Sequence, residues 1–115
     1  MPATLPKAER LSGRTAIGAL MSKGKWEHTA HLRCCYLSGN GLEFSRLMVS
    51  VPKRFFKRAV KRNLLKRRLR EAFRLQKELL GPGFDILLNY NAPEIAGFEA
   101  IRSEVAELLG KIAAK

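Results

Sequence analysis

The chain reads RAVKRNLLKRRLREAFRLQKELL over residues 58–80, followed by Gly81-Pro82-Gly83 and by FDILLNY over residues 84–90. The first segment predicts a helix because it contains no glycine or proline and its apolar residues recur at helical spacing. The Gly-Pro-Gly sequence ends that helix, and the short apolar run after it is typical of a buried strand. A helix between strands favours a crossover, and hence a mixed sheet with helices packed on it.

The rest of the chain supplies the other elements of this sheet. Ser12 can cap a short helix over residues 12–23, and strands are predicted over 31–37 and 43–51. The turn residues Ser38-Gly39-Asn40-Gly41 favour pairing of these two strands as a hairpin. Apolar residues at helical spacing predict a last helix over 94–115. We therefore expect one α+β domain over residues 1–115, in the order α-β-β-(β)-α-β-α, with a small mixed sheet of about four strands and a flexible arm over 1–10.

Positive charge is concentrated in one part of the chain. The 115 residues carry a formal net charge of +12, and 46% of them are hydrophobic, which is too apolar for a disordered basic tail. Residues 53–77 contain 12 basic residues and one acid, Glu71, so this segment carries nearly the whole surplus. A localised surplus of this size indicates a polyanionic partner.

A helical wheel separates the residues of the 58–80 helix into two sides. A core-facing stripe contains Leu65, Leu69, Ala72, Phe73, Leu79 and Leu80. An adjacent side without acids contains Asn63, Lys66, Arg67, Arg70, Arg74 and Lys77. Like charges at this spacing oppose helix formation, and arginine bonds phosphate oxygens with two donors at once, so the pattern favours a phosphate ligand. Ordinary solvated faces mix charge signs, and a membrane-surface helix would need an apolar face that is free for lipid.

Other kinds of site find little support. His28, His31, Cys34 and Cys35 do not have the spacing of a zinc finger, and neighbouring cysteines on a strand point to opposite faces, so we expect no metal site and no disulfide. No triad or carboxylate pair indicates a protein nuclease. With no 18-residue apolar run and no signal-peptide core, we predict a cytoplasmic protein that is not bound to a membrane. Trp26 is either a hydrophobic plug or an RNA-stacking residue.

The basic segment resembles the signature of the bacterial ribonuclease P protein subunit. The resemblance rests on SVPKR at residues 50–54 and RAVKRNLLKRRLREAF at residues 58–73. Arg62, Asn63, Lys66, Arg67 and Arg70 match the family motif R-N-R-x-K-R-x-x-R, in which Leu64 replaces the middle arginine. The flanks also resemble the family: a short helix closed by Gly24, the strand at 84–88, and Pro93 after it.

The resemblance implies both a fold and a role. The fold is an α/β sandwich with a left-handed βαβ crossover, similar to a domain of a small-subunit ribosomal protein. The role is to bind ribonuclease P RNA and the 5′ leader of precursor tRNA, while the RNA performs the cleavage with Mg²⁺ that it holds together with its substrate. No catalytic residue and no obligate protein partner are then expected in the protein. A structural RNA-binding module, such as a ribosomal protein or an RNA chaperone, is the alternative.

The resemblance and the charge pattern together select the candidate site residues. The predicted RNA-binding residues are Lys53, Arg54, Lys57, Arg58, Lys61, Arg62, Asn63, Lys66, Arg67, Arg70 and Arg74. The resemblance places Ile17 and Met21 where family members have leader-stacking aromatic residues on the first helix. Arg33 and Cys35 share one face of the first predicted strand, so we expect them to line the same cleft.

Overall fold

The computed structural model describes residues 7–114. Its helices are α1 (Arg14–Lys23), α2 (Ala59–Gln76) and α3 (Phe98–Ala113), with short 3₁₀ helices at Lys7–Glu9 and Lys77–Leu79. Its strands are β1 (Lys25–His28), β2 (Leu32–Ser38), β3 (Arg46–Ser50) and β4 (Phe84–Tyr90). The predicted element order and the α+β class are therefore confirmed. Residues 7–9 of the predicted arm form a 3₁₀ helix, and Leu11, just after the arm, donates its amide to Leu47 O at 2.7 Å. Residues 1–6 of that arm lie outside the described residues.

The four strands form one mixed sheet in the order β1-β2-β4-β3. The β1–β2 and β2–β4 pairs are antiparallel, and β3 lies parallel to β4. The predicted hairpin is wrong, because β4 lies between the two strands that were expected to pair. Asn40 shows the physical reason: its side-chain amide donates to Phe84 O at 3.2 Å and to Asp85 Oδ1 at 3.1 Å, which fixes the turn to the start of β4. The β3-α2-β4 segment is the βαβ unit to which the resemblance assigns a left-handed crossover.

Helices α2 and α3 cover one face of the sheet and form the main core with it. The buried residues of α2 are Leu65, Leu69, Ala72 and Phe73, as the wheel predicts. Leu80 is also buried, whereas the prediction for Leu79 is wrong because its side chain is 52% exposed. The α-helix changes to a 3₁₀ helix after Gln76, which rotates Leu79 away from the stripe. The last helix starts later than predicted, because Tyr90 Oη holds residues 94–96 as a loop by donating to Glu94 O and accepting from the Ala96 amide.

Helix α1 packs on the other face of the sheet over a smaller cluster of Leu11, Leu20, Cys35 and Leu87. Cys34 belongs to the main core and Cys35 to this second cluster, so the adjacent cysteines do point to opposite faces, and both are free thiols. Gly24, which follows α1, lies so close to the sheet that a Cβ there would overlap Leu20 O and Cys35 Sγ. This close approach lets the chain turn directly from α1 into β1.

Candidate nucleic-acid interface

The predicted RNA-binding residues lie on α2 and on the loop before it, and we call this set the basic face. Its members are Lys53, Arg54, Lys57, Arg58, Lys61, Arg62, Asn63, Lys66, Arg67, Arg70 and Arg74. Most of them are exposed, and only Arg62, Lys66 and Arg74 are half-buried. Among residues 7–114, the side chains of Lys57, Arg58, Lys61, Lys66 and Arg67 make no hydrogen bond or ion pair. The face therefore presents cations whose charge is not neutralised by the described part of the protein.

Three arginines of the basic face are partly engaged within the protein, and the first is Arg54, whose Nη2 donates to Asn91 Oδ1 at 3.4 Å. Arg62 donates through Nη1 to Phe56 O and Lys57 O, both at 2.8 Å, so it holds the turn before α2. Arg74 donates through Nε to Glu71 Oε1 at 2.6 Å, and this hydrogen bond raises the pKa of Arg74 and lowers that of Glu71. Positive charge is therefore partly neutralised at the C-terminal end of the face and strongest from Lys57 to Arg70.

Arg10 extends this charged surface in a way that the sequence does not indicate. The segment around Arg10 lies beside β3, where Arg10 forms an isolated parallel bridge with Leu47. Burial, and after it the positive charge of Arg10, lower the pKa of Arg70. Arginine side chains from two different segments therefore meet at this end of the surface, and both suit phosphate as a ligand. Lys77 does not add to this surface in the same way, because its Nζ lies 2.7 Å from Glu9 Oε1.

The sheet face under α1 consists of three rows of residues that lie side by side across the strands. One row joins Leu37, Asp85 and Arg46, and there Arg46 forms a two-point ion pair with Asp85 at 2.8 and 2.9 Å. A second row joins Trp26, Cys35, Leu87 and Met48, and α1 packs over its middle. The third row joins His28, Arg33, Asn89 and Ser50, and we call it the polar row. Its four side chains make no hydrogen bond within residues 7–114, so they remain available to a ligand.

An aromatic ring lies directly beside the polar row. The guanidinium carbon of Arg33 lies 4.6 Å from the centre of the Trp26 ring, and Trp26 remains 42% exposed. Trp26 is thus not a buried plug. It forms a flat, partly exposed surface that is stacked with a cation, on the sheet face that carries the polar row. Sequence reasoning left Trp26 undecided because it did not predict β1, and only the pairing of Trp26 with Cys35 shows which face the ring occupies.

The four predicted leader contacts differ in their accessibility. Arg33 is exposed and belongs to the polar row, and Met21 on α1 is 48% exposed. Ile17 is half-buried and packs against the cluster beneath α1. The structure contradicts the prediction for Cys35: this side chain is fully buried, and its Sγ donates to Leu20 O at 3.5 Å. Cys35 does share a sheet face with Arg33, as predicted, but α1 covers it.

A hydrogen-bonded cluster fixes the end of the sheet next to the polar row. Glu104 of α3 accepts bonds from the Thr29 hydroxyl, from the His31 amide at 2.8 Å, and from His31 Nδ1 at 2.6 Å. Burial acts to raise the pKa of Glu104, but these hydrogen bonds outweigh it and leave the pKa below its ordinary value. The cluster therefore attaches α3 to the turn between β1 and β2, from which His28 and Arg33 extend.

Comparison with known proteins places this geometry in a family. The family model described as Ribonuclease P matches residues 5–113. The chain belongs to the ribonuclease P protein family. It is 39% identical over 111 residues to the ribonuclease P protein component of Ralstonia pickettii, a match that covers 90% of this chain and 78% of that protein. Over 117 residues it is 32% identical to the Thermotoga maritima protein component, with 97% and 98% of the two chains covered.

Solved structures of the ribonuclease P family share the fold. The Thermotoga maritima ribonuclease P protein has a TM-score of 0.79 and 30% sequence identity, covering 90% of this chain and 97% of its own. The Staphylococcus aureus ribonuclease P protein has a TM-score of 0.78 and 25% identity, covering 93% and 96%. The chain is thus the protein subunit of the endoribonuclease ribonuclease P, it acts with ribonuclease P RNA in tRNA processing, and this role is favoured over a general RNA-binding module.

The described residues form neither a three-residue cluster for a metal ion nor a membrane-spanning helix. Among residues 7–114, no three His, Cys, Asp or Glu side chains come together in a way that could hold a metal ion. None of the helices in the described part of the chain is long and apolar enough to span a bilayer.

Proposed function

We propose that this protein binds ribonuclease P RNA through the basic face and the 5′ leader of precursor tRNA through the polar row. In this way it would assist the RNA-catalysed, Mg²⁺-dependent endonucleolytic cleavage that produces mature tRNA 5′ ends. The observation that carries the proposal is that the fold presents two separate surfaces of different chemistry. One is a helix on which several cations make no hydrogen bond or ion pair within residues 7–114, and the other is a row of polar side chains across the sheet face beside α1.

The basic face suits a folded RNA. Lys66, Arg67 and Arg70 project from one regular helix, so they meet a rigid phosphate backbone without first becoming ordered. Each cation that neutralises a phosphate releases counterions, and this release makes affinity strongly dependent on salt. Such phosphate contacts fix the position and orientation of the protein on the RNA but do not read its base sequence. This is what an RNA with its own catalytic fold requires of a protein subunit.

The polar row suits a single strand. Its four residues occupy four neighbouring strands, so they span three inter-strand spacings, or about 14 Å in total. That length exceeds the separation of adjacent nucleotides, so a strand lying along the row contacts it with more than one nucleotide. His28, Arg33, Asn89 and Ser50 offer donors to phosphate and sugar oxygens, and the Trp26 ring offers a face to a base. Because every base has a flat face, this arrangement tolerates leaders of different sequence.

Helix α1 contributes less to stacking in this proposal. Ile17 and Met21 stand where the resemblance implies aromatic residues, and they offer only van der Waals contact to a leader. Trp26 supplies the aromatic surface instead, from the neighbouring strand β1. We therefore assign leader stacking to Trp26 and Arg33, with Met21 as an apolar neighbour on the same side of the sheet.

Leader contact is tested with precursor tRNAs that carry leaders of increasing length. Wild-type holoenzyme should bind a precursor with a leader of several nucleotides more tightly than one with a single leader nucleotide. In the Trp26→Leu variant, this gain in affinity from the longer leader should be smaller by about 5-fold or more, since stacking on an aromatic ring is worth about 1–3 kcal/mol per base. The substitution should leave affinity for the shortest precursor unchanged. An equal loss for all leader lengths would place Trp26 outside the leader path.

Magnesium enters this proposal through the RNA and its substrate. If the protein stabilises the substrate-bound assembly that holds Mg²⁺, linkage requires that it also raises the Mg²⁺ affinity of that assembly. We expect the Mg²⁺ concentration for half-maximal cleavage to fall when the protein is added to its cognate RNA. An unchanged Mg²⁺ dependence would contradict this part of the proposal.

The decisive experiment is precursor-tRNA cleavage with the protein alone, the RNA alone and both together. We expect no cleavage by the protein alone and faster cleavage at low Mg²⁺ by the pair. One structurally similar Staphylococcus aureus chain is described as a mutant with defective mRNA degradation activity, so an mRNA fragment belongs in the assay as a second substrate. Cleavage of precursor tRNA without the RNA subunit would overturn the assignment of the chemistry to RNA. Precursor tRNA as substrate also implies a cytoplasmic location, which cell fractionation tests.

A further inference from the structure

A groove lies between the start of α2 and the loop that leads into α3. Its accessible apolar lining comes from Phe55, Pro93 and Ile95, with the buried Phe56 beneath them, and its basic lining comes from Lys57, Arg58 and Lys61. Ile95 is 40% exposed although it is a large apolar residue on the most basic part of the molecule. The three cations already belong to the basic face, whereas neither the sequence motif nor the proposed function uses the three apolar residues.

The combination of linings indicates which ligand fits the groove. A phosphate group alone would be satisfied by the cations, and exposed apolar side chains would add nothing to its binding. An unpaired nucleotide has both a flat base that gains from apolar and aromatic contact and a phosphate that gains from lysine and arginine. The start of α2 adds to the attraction, because no side chain among the described residues caps this helix end and its dipole favours an anion there.

Both walls of the groove are fixed before any ligand arrives. On one side Arg62 holds the carbonyl groups of Phe56 and Lys57, and the Arg54 guanidinium lies 4.8 Å from the centre of the Phe55 ring. On the other side Arg68 of α2 donates to Ala96 O at 2.7 Å, and Tyr90 holds the same loop. A preformed groove binds more tightly than one that must be ordered by its ligand.

We propose that this groove binds one unpaired nucleotide of ribonuclease P RNA, with the base against Phe55, Pro93 and Ile95 and its phosphate near Lys57, Arg58 and Lys61. The choice of RNA follows from position. The groove is continuous with the basic face. Along both chain segments, the contact of Arg54 Nη2 with Asn91 Oδ1 at 3.4 Å lies between the polar-row residues Ser50 and Asn89 and the groove residues Phe55 and Pro93. The inference rests on the proposed function, since it names a feature of the RNA that the basic face binds.

The test compares substitutions that remove apolar contact with one that removes charge. Phe55→Leu should weaken binding of ribonuclease P RNA by about 5-fold or more, because it removes an aromatic stacking surface. Ile95→Ala should weaken binding in the same direction and by less. Neither should change the slope of log Kd against log salt, because neither removes a cation, whereas Lys57→Ala should reduce that slope by about 0.7, the value for a phosphate of a single strand. Val60→Ala is the matched control, since Val60 is 79% exposed at the start of α2 but does not line the groove.

Urea unfolding of each variant shows that it is folded before binding is measured. If Phe55→Leu does not fold, Ile95→Ala carries the test on its own. If wild-type protein binds and activates the RNA while both groove variants bind like Val60→Ala, the groove inference is wrong and the proposed function stands. If wild-type protein does not bind the RNA, the proposed function fails, and this inference fails with it.

Ultraviolet cross-linking of the assembled holoenzyme identifies the occupant directly. We expect a cross-link between Phe55 and an unpaired nucleotide of ribonuclease P RNA. A cross-link from Phe55 only to the precursor leader, or only to a second copy of the protein, would overturn the choice of occupant.

Discussion

Arg67 offers the sharpest test of the basic face, because its role in RNA binding is separable from folding. Its side chain is exposed and makes no hydrogen bond or ion pair within residues 7–114. Two residues further along α2, Leu69 is completely buried in the main core. We expect Arg67→Ala to leave the free energy of unfolding within about 0.5 kcal/mol of wild type, as is usual for surface substitutions. The same substitution should weaken the binding of ribonuclease P RNA.

The salt dependence gives the size of this effect. If Arg67 neutralises one phosphate, its removal reduces the slope of log Kd against log salt by about 0.9 for a duplex and about 0.7 for a single strand. Over a fourfold rise in salt, from about 50 to 200 mM, wild-type protein should therefore lose about 2.6- to 3.5-fold more affinity than the variant. The difference between the two proteins should be greatest at low salt, where counterion release contributes most.

The assay is filter binding of the cognate ribonuclease P RNA over a salt series, together with urea unfolding. Arg102→Ala is the matched control, because it removes the same charge from an exposed position on α3 that is not a member of the basic face. Equal slopes for wild type and Arg67→Ala would refute a phosphate contact. A reduced slope for Arg102→Ala as well would show that net charge, rather than the basic face, determines the salt dependence.

Two further predictions concern stability. Leu69→Ala should lower the free energy of unfolding by about 2–5 kcal/mol, as expected for a large-to-small change in a core, and should leave the salt slope of RNA binding unchanged. Equal urea midpoints would contradict the placement of Leu69 in the core. Glu104→Gln should lower the free energy of unfolding by about 1–3 kcal/mol at pH 7, because the carboxylate accepts bonds from Thr29 and His31. The pKa of Glu104 lies below the ordinary value of 4.5 in the folded protein, so this stabilisation is present above that value and is lost as the pH falls through the lower folded pKa. The stability difference between wild type and Glu104→Gln, measured by urea unfolding from pH 7 to pH 3, should therefore shrink at the acid end, and a constant difference would contradict the role of the charged carboxylate.

The features that the sequence predicts well depend on local periodicity. Helix α2 and its buried residues follow from a repeat that neighbouring turns of one helix enforce, so Leu65, Leu69 and Phe73 could be placed without knowledge of the rest of the fold. The opposite orientations of Cys34 and Cys35 follow from the two-residue period of a strand in the same way. The same reasoning fails at Leu79, where the helix tightens into a 3₁₀ turn that no local signal indicates.

The features that sequence reasoning misses depend on which strands pair. The turn residues between β2 and β3 are typical of a hairpin, and only tertiary contacts place β4 between these strands. Strand β1 is four residues long and carries two charges and a histidine, so it lacks the alternation that indicates a strand. The motif resemblance has the same limit, because its most specific residues lie on α2 and the loop before it.

The polar row shows why this difference matters for function. If β2 and β3 formed the expected hairpin, Asn89 could not lie between Arg33 and Ser50, and no row of hydrogen-bonding groups would cross the sheet. The basic face needs only the periodicity of α2 and its packing, whereas the polar row needs the register of three strand pairs to be correct at once. A one-residue slip of β4 would turn Asn89 to the core side and bring an apolar neighbour into its place. Damage to the sheet should therefore abolish leader binding before it abolishes the salt-dependent binding of ribonuclease P RNA, and the two activities are separable by substitution because they arise from different levels of the fold.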